Sequence, residues 1–267
     1  MTASNNIPQP KDLTVLGRSV HVWVGGTGPA LLLFHSAWGD AEMSWSAVWK
    51  DLSRSFTIIA PDMPGFAQSD PLPIPTLAES ARMMKSLVES LGADRVLVIG
   101  NSFGVAHAIE FAATFPDCTR HLVIVNGGHL PYVPTFLKKL ISVPMIEKPF
   151  RSLMRNMVYS NKAFARAFPS PAALPPGFIE RIRGYEDKHS RIVFDTAMNQ
   201  PRPQSVPKVP TTVIWGTGDR LVSVNQRELI RKWLNNPAFI PIEGAGHMPQ
   251  VERAEEFVAA VKSVGTG

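Results

Sequence analysis

The chain has 267 residues, of which 45% are hydrophobic and 18% charged, the composition of a globular protein and not of a disordered or coiled-coil one. Its formal net charge at pH 7 is +5, but no Lys/Arg run with interleaved aromatic residues indicates a nucleic-acid-binding protein. The single cysteine, Cys118, excludes an intramolecular disulfide. Because no apolar run reaches membrane-spanning length and the first residues do not form a secretory signal, we expect a cytoplasmic protein without a membrane span.

Short apolar runs alternate with helical patterns along most of the chain, as a parallel sheet flanked by helices requires. The predicted strands are Val20–Val24, Ala30–His35, Phe56–Ala60, Arg95–Gly100, His121–Val125, Thr211–Gly216 and Ala238–Ile242. The predicted helices are Met43–Leu52, Leu77–Leu91, Phe103–Phe115, Asn225–Leu234 and Ala254–Val264. A Gly-rich turn at residues 25–28 predicts a hairpin between the first two strands. The expected fold class is α/β, with a mostly parallel, doubly wound sheet.

The alternation stops after His129 and resumes at Thr211. Residues 131–205 contain 10 of the 24 prolines, 12 Lys/Arg against 5 Asp/Glu, and helical fragments, of which Phe150–Val158 and Phe178–Tyr185 are the best defined. An insertion at the sheet edge where active-site loops gather predicts a helical cap at 131–205 over a core formed by residues 1–130 and 206–267. A peripheral subdomain is the alternative. The basic excess of the segment fits either a solvated face or the attraction of anionic substrates or surfaces.

Residues 95–104, Arg-Val-Leu-Val-Ile-Gly-Asn-Ser-Phe-Gly, contain Gly-x-Ser-x-Gly between a strand and a helix. This arrangement is a nucleophile elbow, in which the glycines permit a sharp turn that exposes the serine hydroxyl at the N-terminus of the next helix. The sequence therefore predicts Ser102 as a nucleophile. The alternative is an ordinary Gly-containing turn with an incidental serine.

A serine nucleophile needs a base that takes its proton and an acid that orients the base. In sheets with this elbow the chain order is Ser, Asp or Glu, then His. Asp219 follows the strand that starts at Thr211, and His247 follows the next strand, so both fall in loops at the same sheet edge. His129 is the alternative candidate for the base. With His129 as the base, however, Asp219 would follow the base in the chain, which reverses the order found with this elbow. For the oxyanion we expect the backbone N–H groups of Phe103 and Ala37.

These residues give the chain a resemblance to serine hydrolases of the α/β-hydrolase fold, from about Gly17 to Val264. Residues 62–70, Asp-Met-Pro-Gly-Phe-Ala-Gln-Ser-Asp, are similar to the Asp-x-Pro-Gly-x-Gly-x-Ser-Asp loop of that family, with Ala67 at its second glycine. The resemblance implies Ser102, Asp219 and His247 as nucleophile, acid and base. Epoxide hydrolases and haloalkane dehalogenases, which are related, use an aspartate where Ser102 stands.

The elbow is also similar to that of the meta-cleavage-product hydrolases, which cut a carbon–carbon bond. This resemblance implies substrate-binding roles for Asn101 and for an arginine in the cap, for which Arg183 is the candidate. The chain departs from that subfamily at residues 35–40, where His-Ser-Ala-Trp-Gly-Asp replaces a Gly-rich oxyanion loop. Met248 likewise stands where an aromatic residue often follows the catalytic histidine.

Three functions follow, each without a cofactor or a metal ion. The first is a carboxylic-ester hydrolase, the second a C–C bond hydrolase of a vinylogous diketone acid, and the third a receptor that retains the fold without turnover. The expected partner is a small-molecule substrate, an anionic one if the basic cap takes part in binding. No long apolar stripe indicates an oligomeric state. The predicted substrate contacts are Ser36, Trp38, Asn101, His129, Met154, Met157, Arg183 and Met248.

Overall fold

The structure, a computed structural model, describes residues 6–265. Its sheet has eight strands in the order β1-β2-β4-β3-β5-β6-β7-β8. The strands are β1 (Gln9–Val15), β2 (Arg18–Gly26), β3 (Ala30–Phe34), β4 (Thr57–Pro61), β5 (Val96–Asn101), β6 (Thr119–Val125), β7 (Thr211–Gly216) and β8 (Ala238–Ile242). The pairs β1/β2 and β2/β4 are antiparallel and the others are parallel. The predicted α/β class with a mostly parallel sheet is confirmed.

Polar side chains cap the first turn of several helices. The helices are α1 (Ala41–Leu52), α2 (Leu77–Ser90), α3 (Phe103–Thr114), α4 (Thr135–Ile141), α5 (Pro144–Tyr159), α6 (Asn161–Ala167), α7 (Phe178–Asn199), α8 (Val224–Trp233), α9 (Pro249–Glu252) and α10 (Ala254–Gly265). The Thr76 hydroxyl accepts from the Glu79 amide at the start of α2, and Ser223 and Gln226 form a capping box at α8. Each cap satisfies amides that have no partner within the helix.

The strand residues alternate between two buried faces of the sheet. Leu31 and Leu33 of β3 belong to an apolar cluster with residues of α1 and α10, whereas Leu32 and Phe34 belong to a cluster with residues of α2 and α3. These four side chains are fully buried, and each contributes about 1.5–3 kcal/mol through its burial. The two layers of helices hold the strand ends at fixed positions, so the loops that follow the strands also start from fixed positions.

The predicted hairpin between β2 and β3 is wrong, because β4 lies between these two strands. The reason lies in the Gly-rich turn itself. Gly26 and Gly28 have φ of +102° and +108°, and a Cβ on them would lie 2.1 Å and 2.4 Å from the carbonyl oxygens of Phe56 and Ser55. The turn therefore packs on the segment that leads into β4 and directs β4 beside β2. The edge strand β1 was not predicted, since its residues 9–12 are polar or proline and exposed.

Helices α4 to α7 lie between β6 and β7, in the segment where the sequence predicts a cap. A cluster of buried apolar side chains joins α5, α6 and α7 to core segments, and its members include Trp38, Met43, Tyr159, Phe164, Phe168, Phe178, Ile182 and Met248. The boundaries 131–205 and a role for the segment as a cap stay predictions. Among residues 6–265, no helix is long and apolar enough to cross a membrane.

Candidate active site

Ser102 lies at the sharp turn between β5 and α3. Its φ is +55° and its ψ −117°, a conformation that costs an L-residue energy and that the surrounding structure must impose. A Cβ on Gly100 would lie 2.5 Å from the Gly104 carbonyl oxygen, and one on Gly104 would lie 2.4 Å from those of Phe34 and His35. Glycine is therefore required at both positions, and the turn presents the half-buried Ser102 at the N-terminus of α3.

Ser102, His247 and Asp219 form one continuous chain of hydrogen bonds. The Ser102 Oγ lies 2.8 Å from His247 Nε2, and His247 Nδ1 lies 2.8 Å from Asp219 Oδ2. With a carboxylate as the acceptor, Nδ1 carries the proton, and Nε2 is left to accept the proton of the serine hydroxyl. His247 and Asp219 are both buried, so water does not compete strongly for these hydrogen bonds.

Asp219 is held as an anion by a set of donors. Asn126 Nδ2 donates to Asp219 Oδ2 at 2.8 Å, and the amides of Leu221 and Val222 donate to Oδ1 at 2.8 and 3.3 Å. Burial alone would raise the pKa of Asp219, but the His247 charge and the hydrogen bonds from His247, Asn126 and the Leu221 amide hold it below its usual value. The carboxylate therefore remains charged beside His247.

The backbone around His247 is fixed from three sides. Asn101 Nδ2 donates to the carbonyl oxygens of Val125 and His247 at 3.1 and 3.0 Å. The His247 amide donates to Ala167 O at 2.8 Å, and Glu252 accepts from the amides of Gly246 and Met248 at 2.9 and 3.1 Å. Asn101 is thus engaged with the loops of the site, and it is not among the residues that line the cavities at Ser102.

Two backbone amides near Ser102 are free to donate. Within residues 6–265, neither the Ala37 nor the Phe103 amide has a protein acceptor. The peptide that carries the Ala37 N–H is oriented through its other end: His35 Nδ1 donates to Ser36 O at 2.7 Å while His35 Nε2 accepts from the Met63 amide at 2.9 Å. A carbonyl that already accepts a hydrogen bond polarises its peptide, which strengthens the N–H as a donor.

Two side chains of the predicted cap contact this same loop. Tyr159 Oη donates to the Ala37 carbonyl at 2.9 Å, and His189 Nδ1 lies 3.2 Å from it. His189 Nε2 accepts from the Ala67 amide at 3.2 Å, so Nδ1 is the nitrogen that carries the proton. Burial lowers the pKa of His189 to about 3, which keeps the ring neutral. The cap segment is therefore hydrogen-bonded to the loop that carries the free Ala37 amide.

Two cavities meet at Ser102, and Ala37 and Val158 line both. The first, of about 120 Å³, is named here the Met154 cavity and is otherwise lined by Phe103, Met154, Arg155, Tyr159, Ser190 and Val193. The second, of about 250 Å³, is named the Met157 cavity and is otherwise lined by Trp38, Met157, Arg166, Leu221, Val222 and His247. Both have mostly apolar walls, as small-molecule sites do.

The structure brings some predicted substrate contacts to the site and leaves others away from it. Trp38, Met154 and Met157 line the cavities. Ser36 is buried and its hydroxyl accepts from the Trp38 amide at 3.1 Å, so it orders the loop. Met248 is fully buried in the cluster that joins cap and core.

His129 and Arg183 do not reach Ser102. His129 stacks on Trp233, with ring centroids 4.5 Å apart, and burial lowers its pKa. Arg183 is exposed, hydrogen-bonds to Asn161 and lies over the Phe164 ring. The arginines that do line the cavities are Arg155 and Arg166, neither of which was identified from the sequence.

Asn126, Glu252, Tyr159 and His189 were not identified from the sequence. For Asn126 a signal exists: an asparagine directly after β6, with φ +44°, occupies the end of a strand where site residues gather. The other three act through contacts that packing creates. Among residues 6–265, no group of three His, Cys, Asp or Glu side chains is arranged to hold a metal ion.

The chain is similar to proteins of known family. A model of the alpha/beta hydrolase family matches residues 31–260. The chain is 25% identical to 2-hydroxy-6-oxononadienedioate/2-hydroxy-6-oxononatrienedioate hydrolase 2 of Pseudomonas putida, over 90% of this chain and 85% of that protein. It is 26% identical to lipase 1 of Psychrobacter immobilis, over 86% and 74%.

Among solved structures, that of a membrane phospholipase A superposes with a TM-score of 0.75 at 23% identity, over 96% of this chain and 85% of that one. A likeness at this identity shows a shared fold. The family match, which spans most of the chain, shows more: the protein is a hydrolase and belongs to the alpha/beta hydrolase family.

Proposed function

We propose that this chain hydrolyses carboxylic esters through an acyl-enzyme on Ser102. The observation that supports this most directly is the unbroken hydrogen-bond chain Ser102–His247–Asp219, with both links at 2.8 Å, beside two unpartnered amides. A serine hydroxyl becomes an effective nucleophile when a base accepts its proton as it attacks. All of these groups lie at one edge of the sheet, where a substrate carbonyl would enter.

In the proposed reaction, Ser102 Oγ attacks the ester carbonyl while His247 Nε2 takes the hydroxyl proton. The Ala37 and Phe103 amides donate to the oxyanion that develops, and Asp219 stabilises the imidazolium. His247 then gives the proton to the leaving alkoxide, and the C–O bond breaks to leave an acyl group on Ser102. A water molecule, deprotonated by His247, hydrolyses that acyl-enzyme and regenerates Ser102.

The two cavities divide the substrate between them in this proposal. The leaving alcohol must receive its proton from His247, which lines the Met157 cavity and not the Met154 cavity. We therefore assign the alcohol to the Met157 cavity and the acyl group to the smaller Met154 cavity. Arg155, at the boundary of the Met154 cavity, would meet the far end of an acyl chain.

Hydrolysis of p-nitrophenyl acetate, butyrate and hexanoate tests the proposal. Ser102→Ala should lower kcat by about 1,000-fold or more, whereas Ser263→Ala, the same change on the exposed side of α10, should retain wild-type turnover. If folded wild-type protein turns over none of these esters, or Ser102→Ala retains its rate, the proposal is wrong.

C–C bond hydrolysis is a second candidate, because the Pseudomonas putida relative carries the name of a hydrolase of 2-hydroxy-6-oxo dienoic acids. The cationic group that could receive the carboxylate of such a leaving fragment is Arg166, which lines the Met157 cavity. Turnover of a 2-hydroxy-6-oxo-dienoic acid that exceeds ester turnover, and that Arg166→Gln abolishes while Arg183→Gln does not, would favour this function.

A further inference from the structure

The exposed apolar side chains of this protein are concentrated in one short segment. In the described part of the chain, 11 large hydrophobic residues are exposed, and six of them lie between residues 136 and 157. These six are Phe136, Leu140, Val143, Met145, Leu153 and Met157. Single exposed apolar residues need no explanation, but a contiguous group of them marks an interaction surface.

Five of the six lie on the exposed side of α4 and α5, and Val143 lies between the two helices. Phe136 and Leu140 are four residues apart on α4, and Met145, Leu153 and Met157 follow the four-residue ridge of α5 that also contains Pro149. Met145 is 87% exposed and Met157 67%. A helix on the surface of a globular protein normally presents polar residues there. We call Phe136, Leu140, Met145, Leu153 and Met157 the cap ridge; the sequence had not indicated such a stripe.

Basic residues flank the cap ridge. Helices α4 and α5 contain five Lys/Arg and one acidic residue, Glu147. Lys139 and Lys148 are exposed and have no ion pair or hydrogen bond within residues 6–265. Beside them lies a cleft of about 370 Å³ that is lined by four basic residues and, as its acidic member, Asp187.

We propose that the cap ridge is a docking surface for an anionic phospholipid bilayer. Apolar side chains that insert at the boundary of headgroups and acyl chains, flanked by Lys and Arg that face anionic headgroups, are the features of an interfacial helix. A second copy of the chain fits less well, because two such ridges face to face would bring unpaired lysines together. A bilayer with anionic headgroups complements both the apolar and the basic residues.

Docking would also orient the site. Met157 belongs to the cap ridge and lines the cavity that contains Ser102 and His247, so that cavity would open toward the bilayer. A further consequence, which rests on the proposed function, is that the ester reaches Ser102 from the lipid phase. Binding to lipid does not itself require Ser102.

The test is co-sedimentation of the full chain with vesicles of phosphatidylcholine alone or with about 30% phosphatidylglycerol. We expect binding to the anionic vesicles that weakens with salt, and little binding to the neutral ones. Replacing Met145, Leu153 and Met157 by Ser should lower the partition coefficient by about tenfold or more. The matched control replaces Ile74, Val224 and Leu229, which are equally exposed elsewhere, by Ser and should bind like wild type.

Repeating the test in a Ser102→Ala background keeps docking separate from catalysis. Retained binding there supports the proposal even if no ester is hydrolysed. The proposal is overturned if wild type binds neither vesicle, or if the ridge variant and its control bind alike. It is also overturned if sedimentation velocity shows a wild-type dimer that the ridge variant converts to monomer without any vesicle binding, since a second copy then covers the ridge.

Discussion

Glu252 holds the backbone on both sides of His247. Its Oε2 accepts from the Gly246 amide at 2.9 Å and its Oε1 from the Met248 amide at 3.1 Å. The short helix α9 places Glu252 one turn after the histidine, where the side chain folds back on the loop. Because both carboxylate oxygens are used, this buried side chain is one of the contacts that fix the backbone from which the imidazole extends.

Glu252→Gln should therefore displace the imidazole. A glutamine can accept from one of the two amides, but its NH₂ group would face the other. We expect kcat for p-nitrophenyl butyrate to fall by about 10- to 100-fold, with little change in KM, because small displacements of a catalytic base have effects of this size. Glu255→Gln, an exposed change in the next helix, is the control. Wild-type kcat in Glu252→Gln would show that the clamp does not position His247.

The same variant should change how stability depends on pH. Burial raises the pKa of Glu252 above its usual 4.5, so the folded state binds this proton more tightly than the unfolded state. The contribution of the group to stability is present below that usual value and is lost as the pH rises through the raised pKa. The free energy of unfolding of wild type minus that of Glu252→Gln should decrease as the pH rises above the usual pKa of 4.5 and through the raised pKa. Urea titrations that show an increase would contradict the sign.

Asn126 is predicted to be required for the charge of Asp219. Asn126→Ala removes the donor to Asp219 Oδ2 and the acceptor for the Gly216 amide, so the pKa of Asp219 should rise and the carboxylate should lose its orientation. We expect kcat to fall by about tenfold or more. Asn235→Ala is the matched control, because Asn235 also has a positive φ but lies outside the site. Equal activities of the two variants would show that Asn126 is not required for activity.

The division of the substrate between the two cavities predicts opposite effects for two enlargements. Val193→Trp should fill part of the Met154 cavity and lower kcat/KM for butyrate and hexanoate esters more than for acetate. Leu221→Trp should fill part of the Met157 cavity. It should therefore lower kcat/KM for acetate esters of bulky alcohols more than for acetate esters of small alcohols. Each change adds volume to a wall that is mostly apolar. If both variants change acyl-chain preference in the same way, the assignment is wrong.

The features of the site that the sequence predicted are those that depend on short-range patterns along the chain. Ser102, Asp219 and His247 each follow a strand that apolar runs define, and parallel strands end at a common edge, so their proximity could be expected. Their catalytic roles remain predictions. The order of strands could not be inferred in the same way, since the Gly25–Gly28 turn is compatible with a hairpin until its contact with residues 55–56 is known.

Contacts between segments that lie far apart in the chain could not be predicted from the sequence. Tyr159 and His189 are 122 and 152 residues from Ala37, and no local pattern predicts such a meeting. Which face of a cap helix turns toward the core also depends on packing. For this reason the sequence did not identify Arg155 and Arg166 as the arginines that line the cavities, and it did not predict the exposed cap ridge.

The proposed ester hydrolysis depends most on Ser102 as the nucleophile, and covalent labelling tests this role directly. Wild-type protein mixed with a p-nitrophenyl alkylphosphonate should release about one equivalent of p-nitrophenol and gain one phosphonyl group. Peptide mass mapping should place that group on Ser102, Ser263→Ala should react like wild type, and Ser102→Ala should remain unlabelled. Folded wild-type protein that stays unmodified, or that carries the phosphonyl group on another residue, would contradict the account.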